Sequence, residues 1–186
     1  KGFTMILLIL GLALWIVPHL FKRVAPAMAA GIDEKKRKMG VTILSFVAIV
    51  LMVIGYRGWV SGDLYTPPTW GAHANNLLMV ISIYLMAAAG MKTRITRVIR
   101  HPQSTGVILW SVAHLLANGD WASIVLFGAL GLWAVAAIML ENAQKSWTKP
   151  APAPMGKEIG AIVGTLIVVG VAVWIHIALG YHPFGG

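Results

Sequence analysis

Six histidines, six carboxylates and no cysteine set the chemistry open to this 186-residue chain. Without a thiol there is no disulfide, no zinc ribbon, no iron–sulfur cluster and no thiolate ligand to haem, so metal chemistry must use imidazole, thioether or carboxylate. His114 is the histidine whose position needs explaining. It stands inside the apolar part of RHPQSTGVILWSVAHLLANGD, Arg100 to Asp120, and an imidazole left without a partner in hydrocarbon costs several kcal/mol.

His101 cannot be that partner. Along one helix it lies about 20 Å from His114 and roughly 220° around the axis, too far for one metal. The partner must come from another helix. His73, at the start of the third apolar run, and His176, near the end of the last, share the outer depth of His114; His19 lies near the inner end of the first run and matches less well. A bis-histidine haem b needs two imidazoles facing each other at similar depth. His114 is therefore the candidate ligand to haem iron, with His73, His176 or His19 opposite. The plainer reading of any one of them is a hydrogen bond to a neighbouring helix, for His114 through Ser111, Asn118 or a backbone carbonyl. Three histidines at one depth weigh towards a ligand or cavity.

Other polar residues suggest a second locus. His101-Pro102 opens a helix, Pro102 suits its first position, and the free N–H groups that follow can receive an anion. With Arg97 and Arg100, and Arg94 nearby, His101 makes a candidate anion or headgroup site; the alternative is that these arginines only touch lipid phosphates. Glu141 is expected to pair with Arg100 or Arg97 as a structural ion pair. His182, in the tail GYHPFGG, reads as a solvated terminal residue. The methionines read as packing, and no Ser-His-Asp set, phosphate loop or HExxH pattern is present. No catalytic residue can be assigned.

Holding these residues takes membrane-spanning helices. The chain is 58% hydrophobic and 11% charged, against about 25% charged in soluble domains. Apolar runs are found at Phe3 to Phe21, Val41 to Tyr56, Ala74 to Met91, Ser104 to Ala117, Trp121 to Leu140 and Ile159 to Leu179, the fourth short for a span of roughly 20 residues. The first is too long, and too plainly followed by others, for a cleaved signal peptide. Thirteen of the fifteen Lys and Arg fall in the first, third and fifth loops, leaving Lys1 and Arg57 for the other side. The positive-inside rule then puts both termini outside, and the net charge of +9 reflects topology and anionic lipid, with nucleic acid excluded as a partner. Asn118-Gly119-Asp120 is a tight turn with Asp120 as N-cap, and Thr148 to Gly156 is an extended Pro/Ala linker that sets the last helix apart. The outer loop Tyr56 to Gly71 carries Tyr56, Trp59, Tyr65 and Trp70, as an interfacial aromatic belt or a lid over a cavity.

The first span with its histidine and basic stretch (IVPHLFKR), and above all RHPQSTGVILWSVAHLLANGD, resemble the NnrU family of bacterial membrane proteins, which is similar to the plant zeta-carotene isomerases (Z-ISO). The resemblance covers about Ile6 to Trp147. It implies a link to denitrification and nitrogen-oxide metabolism on the one side, and on the other a haem b protein that isomerises a cis double bond of a carotenoid, His114 matching a haem-ligand histidine. The second ligand does not transfer, and His19, His73 and His176 stay open. A more remote resemblance is to membrane methyltransferases of the isoprenylcysteine and phospholipid type, whose RHPxYxG motif is matched by Arg100, His101, Pro102 and Gly106, with Ser104 in place of the Tyr and Glu141 alone in place of paired glutamates.

The expectation is thus an all-α, multi-pass bundle of about six transmembrane helices with both termini periplasmic, in a bacterial inner membrane. Residues 1–147 form the NnrU-like core, 148–157 the linker, and 158–186 the last helix and tail. The leading function is haem b binding with a role in nitrogen-oxide metabolism or isomerisation of a carotenoid-type polyene, the partners being lipid and a hydrophobic isoprenoid or carotenoid. The alternative is a non-catalytic subunit among the other subunits of a larger respiratory or photosynthetic complex.

Overall fold

A chain segment in hydrocarbon must satisfy its own backbone, and a helix does so without help from its neighbours. The computed structural model describes residues 2–181 and 183–184 and consists of α1 (Gly2–Val24), α2 (Pro26–Ala30), α3 (Glu34–Gly58), α4 (Gly71–Met91), α5 (Pro102–Ala117), α6 (Trp121–Gln144) and α7 (Met155–Ala178). A 3-10 turn, Arg94–Arg97, joins α4 to α5. No strand occurs among the described residues, only an isolated bridge between Asp63 and Asp120. The reading of His182 falls outside the described residues.

Five helices, α1, α3, α4, α6 and α7, are long and apolar enough to cross a membrane. The chain is therefore a multi-pass, all-helical membrane protein. α5 has 16 residues, about 24 Å, and is short as its apolar run indicated, even though it begins two residues earlier at Pro102. α3 runs longer than its apolar run. It starts at Glu34 and takes Lys35 to Lys38 into its first turns, because Asp33 caps it by accepting from the Lys36 N–H at 3.0 Å.

Lipid gives no hydrophobic drive to pair helices, so close approach at small residues must do it. A Cβ on Gly55 of α3 would run into the Leu8 backbone of α1, and one on Gly11 would lie 2.9 Å from the Ala48 carbonyl oxygen. α4 and α5 meet at Gly106, whose carbonyl accepts from Ser82 Oγ at 2.7 Å, and at Gly71, packed on the Leu116 backbone. Gly131 of α6 seats Ser111 of α5, and Gly160 of α7 faces Met91 of α4.

These seams place the helices side by side in the order α3, α1, α6, α5, α4, α7. The row curves, and its concave side encloses one groove of about 1610 Å3 whose walls include residues of all six. α7 belongs to the row through α4 alone among these long seams, in keeping with the irregular residues 145–154 that precede it. At one end of the bundle lie the ends of α1, α4 and α6 with the starts of α3, α5 and α7. This is called the basic end below, and the opposite one the far end. At the far end Arg57 of α3 sits 5.8 Å over the Tyr181 ring beyond α7.

Gly55→Ala should lower the thermal midpoint in detergent by the equivalent of about 1–3 kcal/mol through overpacking. Gly164→Ala, whose Cβ meets nothing within 4 Å, should leave it unchanged or slightly raised. Equal effects at the two positions would show that close approach does not hold α1 to α3.

Candidate functional site

Three histidines are built alike. His114 Nδ1 lies 2.9 Å from the Trp110 carbonyl oxygen, His19 Nδ1 2.7 Å from that of Trp15, and His176 Nδ1 2.7 Å from that of Ala172. A carbonyl only accepts, so in each ring the proton sits on Nδ1, and Nε2 is left with its lone pair. Among the described residues no protein group bonds these three Nε2 atoms, and all three rings line the same groove. A ligand histidine whose tautomer is fixed by a backbone carbonyl has this arrangement.

Aromatic rings hold two of them in place. His114 stacks on Phe127 of α6 with centroids 4.2 Å apart, and Trp110 closes against both at 4.8 Å. His19 stacks on Trp15 at 4.5 Å and meets the edge of Trp133 of α6 at 5.5 Å. His176 has the Tyr181 ring at 6.4 Å. The ring partners are signalled in the sequence by a repeated spacing. WIVPH (Trp15 to His19) and WSVAH (Trp110 to His114) both set an indole one helical turn before an imidazole, on the same face.

Depth can be read from the seams. Phe127 and Trp133 are six residues apart on α6, so His114 and His19 differ by about 9 Å along it. The Met91–Gly160 contact fixes α7 against α4, and the Ser82–Gly106 and Gly71–Leu116 contacts fix α4 against α5. Counting along these helices puts His176 level with His114 to within one turn, about 5 Å. His73 is also near that level, but it is exposed at the start of α4 and does not line the groove, whereas its neighbours Ala72, Asn75 and Asn76 do. Among the described residues no cluster of three or more His, Asp or Glu could hold a bare metal ion.

At the basic end the residues sort differently from the expectation. Glu141 pairs with Arg23 and, at 3.3 Å, with Lys145, not with Arg97 or Arg100. The reason is the α1–α6 seam, which brings the last turn of α1 to the last turn of α6. Gln144 Nε2 donates to the Arg23 carbonyl there as well, at 2.8 Å. Arg100 instead donates to the Lys145 carbonyl at 2.5 Å, and His101 Nε2 lies 2.8 Å from Asn142 Oδ1. Arg97, in the 3-10 turn, buries its Nε without a partner and does not line the groove. Lys92 does, at a left-handed helix end (φ 55°) where glycine is usual.

The loop after α3 is neither a simple aromatic belt nor a free lid. Leu64 and Tyr65 donate their N–H groups to the Gly119 carbonyl at 2.8 and 3.3 Å, and Tyr65 Oη donates to the carbonyls of Leu115 and Asn118. Tyr65 thereby shares its one proton between the Leu115 carbonyl in the last turn of α5 and the Asn118 carbonyl just beyond it, and a Cβ at Gly119 would overlap the Tyr65 backbone. Trp59, like Trp110, packs on the core, and Trp70 stays exposed. The loop straps the α5–α6 turn, which begins four residues beyond His114.

A family model described as NnrU protein matches residues 7–183. No curated protein matches the chain, and no solved structure does.

Asp120 ties the strap to α6. Its carboxylate accepts from the Ser123 N–H at 3.0 Å, Ser123 Oγ at 2.5 Å and Ser61 Oγ at 3.1 Å. Burial pushes the carboxyl up, but these hydrogen bonds outweigh it and hold its pKa below the ordinary range. A lowered folded-state pKa stabilises above the unfolded value, about 3.9, and that share is lost as pH falls through the folded value. Asp120→Ala should therefore cost about 1 kcal/mol at neutral pH and flatten the loss of stability below pH ~4. An acid titration of unfolding with the wild-type slope in the variant would contradict this.

Proposed function

The chain belongs to the NnrU family, and on that footing we propose that it binds haem b in the groove, where His114 and His176 would hold it, and acts on a long apolar polyene-type molecule drawn from the bilayer. One observation carries the reading: three imidazoles from three different helices keep their Nδ1 protons on their own backbone and leave Nε2 open to one shared space. A lone structural histidine has no need of an open nitrogen, and each of these would be an unsatisfied acceptor in hydrocarbon without a ligand.

The residues fit the group. Haem would be held by His114 and His176, whose depths counted along the seams agree to within one turn, whereas His19 is offset from His114 by roughly 9 Å. Trp110, Phe127, Leu126 and Leu130 offer an apolar wall beside His114, which excludes water and lowers the local dielectric. When bound, haem supplies an iron whose redox state can be changed and which can engage a conjugated double bond. The chain itself holds the His114 ring by stacking, keeps its tautomer fixed, and gives a long substrate a low-dielectric path beside it. The groove's volume of about 1610 Å3 exceeds the roughly 300–1,000 Å3 of an ordinary small-molecule pocket. That size favours a polyene over the small nitrogen oxides suggested by the denitrification link.

Protein purified from haem-replete membranes should show a Soret band. His114→Ala should lose it, His176→Ala should lose it or shift it to a five-coordinate form, and His19→Ala should keep it. Absence of the band in the wild type would sink the proposal, and a loss on His19→Ala with His176→Ala unaffected would move the second ligand to α1.

A further inference from the structure

The groove does not end at the histidines. It runs to the basic end, where Arg23, Lys92, Arg100, His101 and Glu141 line it. Arg23 is matched by Glu141. Among the described residues neither Lys92 nor Arg100 has a carboxylate in ion-pair range, and Arg100 is engaged only with the Lys145 backbone carbonyl. A space that is apolar in its middle therefore ends in two cationic groups without counter-charge. Like charges gathered at the end of a low-dielectric cleft raise the local concentration of anions, and a guanidinium or ammonium facing a phosphate or carboxylate makes the strong, charge-assisted kind of hydrogen bond.

We infer that the groove takes an amphiphile: a long chain lying along α5 towards His114, with an anionic phosphate or carboxylate head held between Lys92 and Arg100. The path from His101 to His114 is about 20 Å. The backbone at Lys92 supports the assignment. A lysine occupies a left-handed position that glycine would fill without strain, so its side chain is kept there at a conformational cost. The head comes either from a soluble long-chain phosphate or from an anionic membrane lipid, two sources of one chemistry. The inference deepens the reading of the groove as a site for a long apolar chain but does not depend on haem.

The test uses the full chain in phosphatidylcholine nanodiscs, with geranylgeranyl phosphate and the neutral alcohol geranylgeraniol as paired ligands. The phosphate should bind about tenfold tighter or more. Lys92→Gly, which relaxes the backbone and so keeps the fold, and Arg100→Gln should each cut that preference severalfold while leaving the alcohol unchanged. Competition by phosphatidylglycerol added to the discs assigns the head to membrane lipid, and its failure to compete assigns it to a soluble long-chain phosphate. Equal binding of phosphate and alcohol, a preference untouched by both variants, or inorganic phosphate competing as well as the amphiphile each overturns the inference. A phosphate preference found in wild-type protein that shows no Soret band separates failure of the haem reading from failure of this site.

Discussion

A neutral imidazole has two ring nitrogens and one proton, and in hydrocarbon both nitrogens need an answer. In this chain His19, His114 and His176 answer alike, giving the proton to the carbonyl four residues back. The choice fixes which nitrogen faces outward, and so makes each ring a lone-pair donor aimed away from its own helix. The rest of the structure serves to bring those donors to one place. Glycine seams let the helices approach, and the row they form is curved enough to have an inside.

Two features protect that inside. The aromatic rings on α6, Phe127 and Trp133, fix the rings of His114 and His19 by stacking and edge contacts. The strap from α3 to α4 pins the α5–α6 turn through Tyr65, Gly119 and Asp120, and Tyr65 reaches the Leu115 carbonyl in the last turn of short α5. An unsatisfied helix end in hydrocarbon costs several kcal/mol per group, so a helix of only 16 residues gains from a covering loop at its end. The groove is left with an apolar wall beside His114 and a cationic rim at its basic end.

Much of this was legible in the sequence. The apolar runs, the short fourth run, the N-cap at Asp120 and the loop positions of the basic residues all follow from local composition, which is what a helix in lipid depends on. What was not legible depends on which helix lies beside which. Glu141 was expected to pair with Arg97 or Arg100, close to it on the same side of the membrane, but the α1–α6 seam delivers Arg23 first. His73 was at the right depth, yet its direction depends on the facing of α4, which a run of apolar residues with little amphipathic contrast does not reveal. The indole–imidazole spacing was present twice in plain view, and only the ring stacking shows that it forms a unit.

Everything in the groove turns on one tautomer, with Nδ1 protonated and Nε2 open at His19, His114 and His176. Nitrogen-15 NMR of ring-labelled histidine in the full chain, assigned through His19→Gln, His114→Gln and His176→Gln, measures it directly. All three should give protonated Nδ1 and unprotonated Nε2 signals in cofactor-free protein. Signals from Nε2-protonated rings at His114 and His176 would contradict it, because those nitrogens would then have no lone pair to offer the groove.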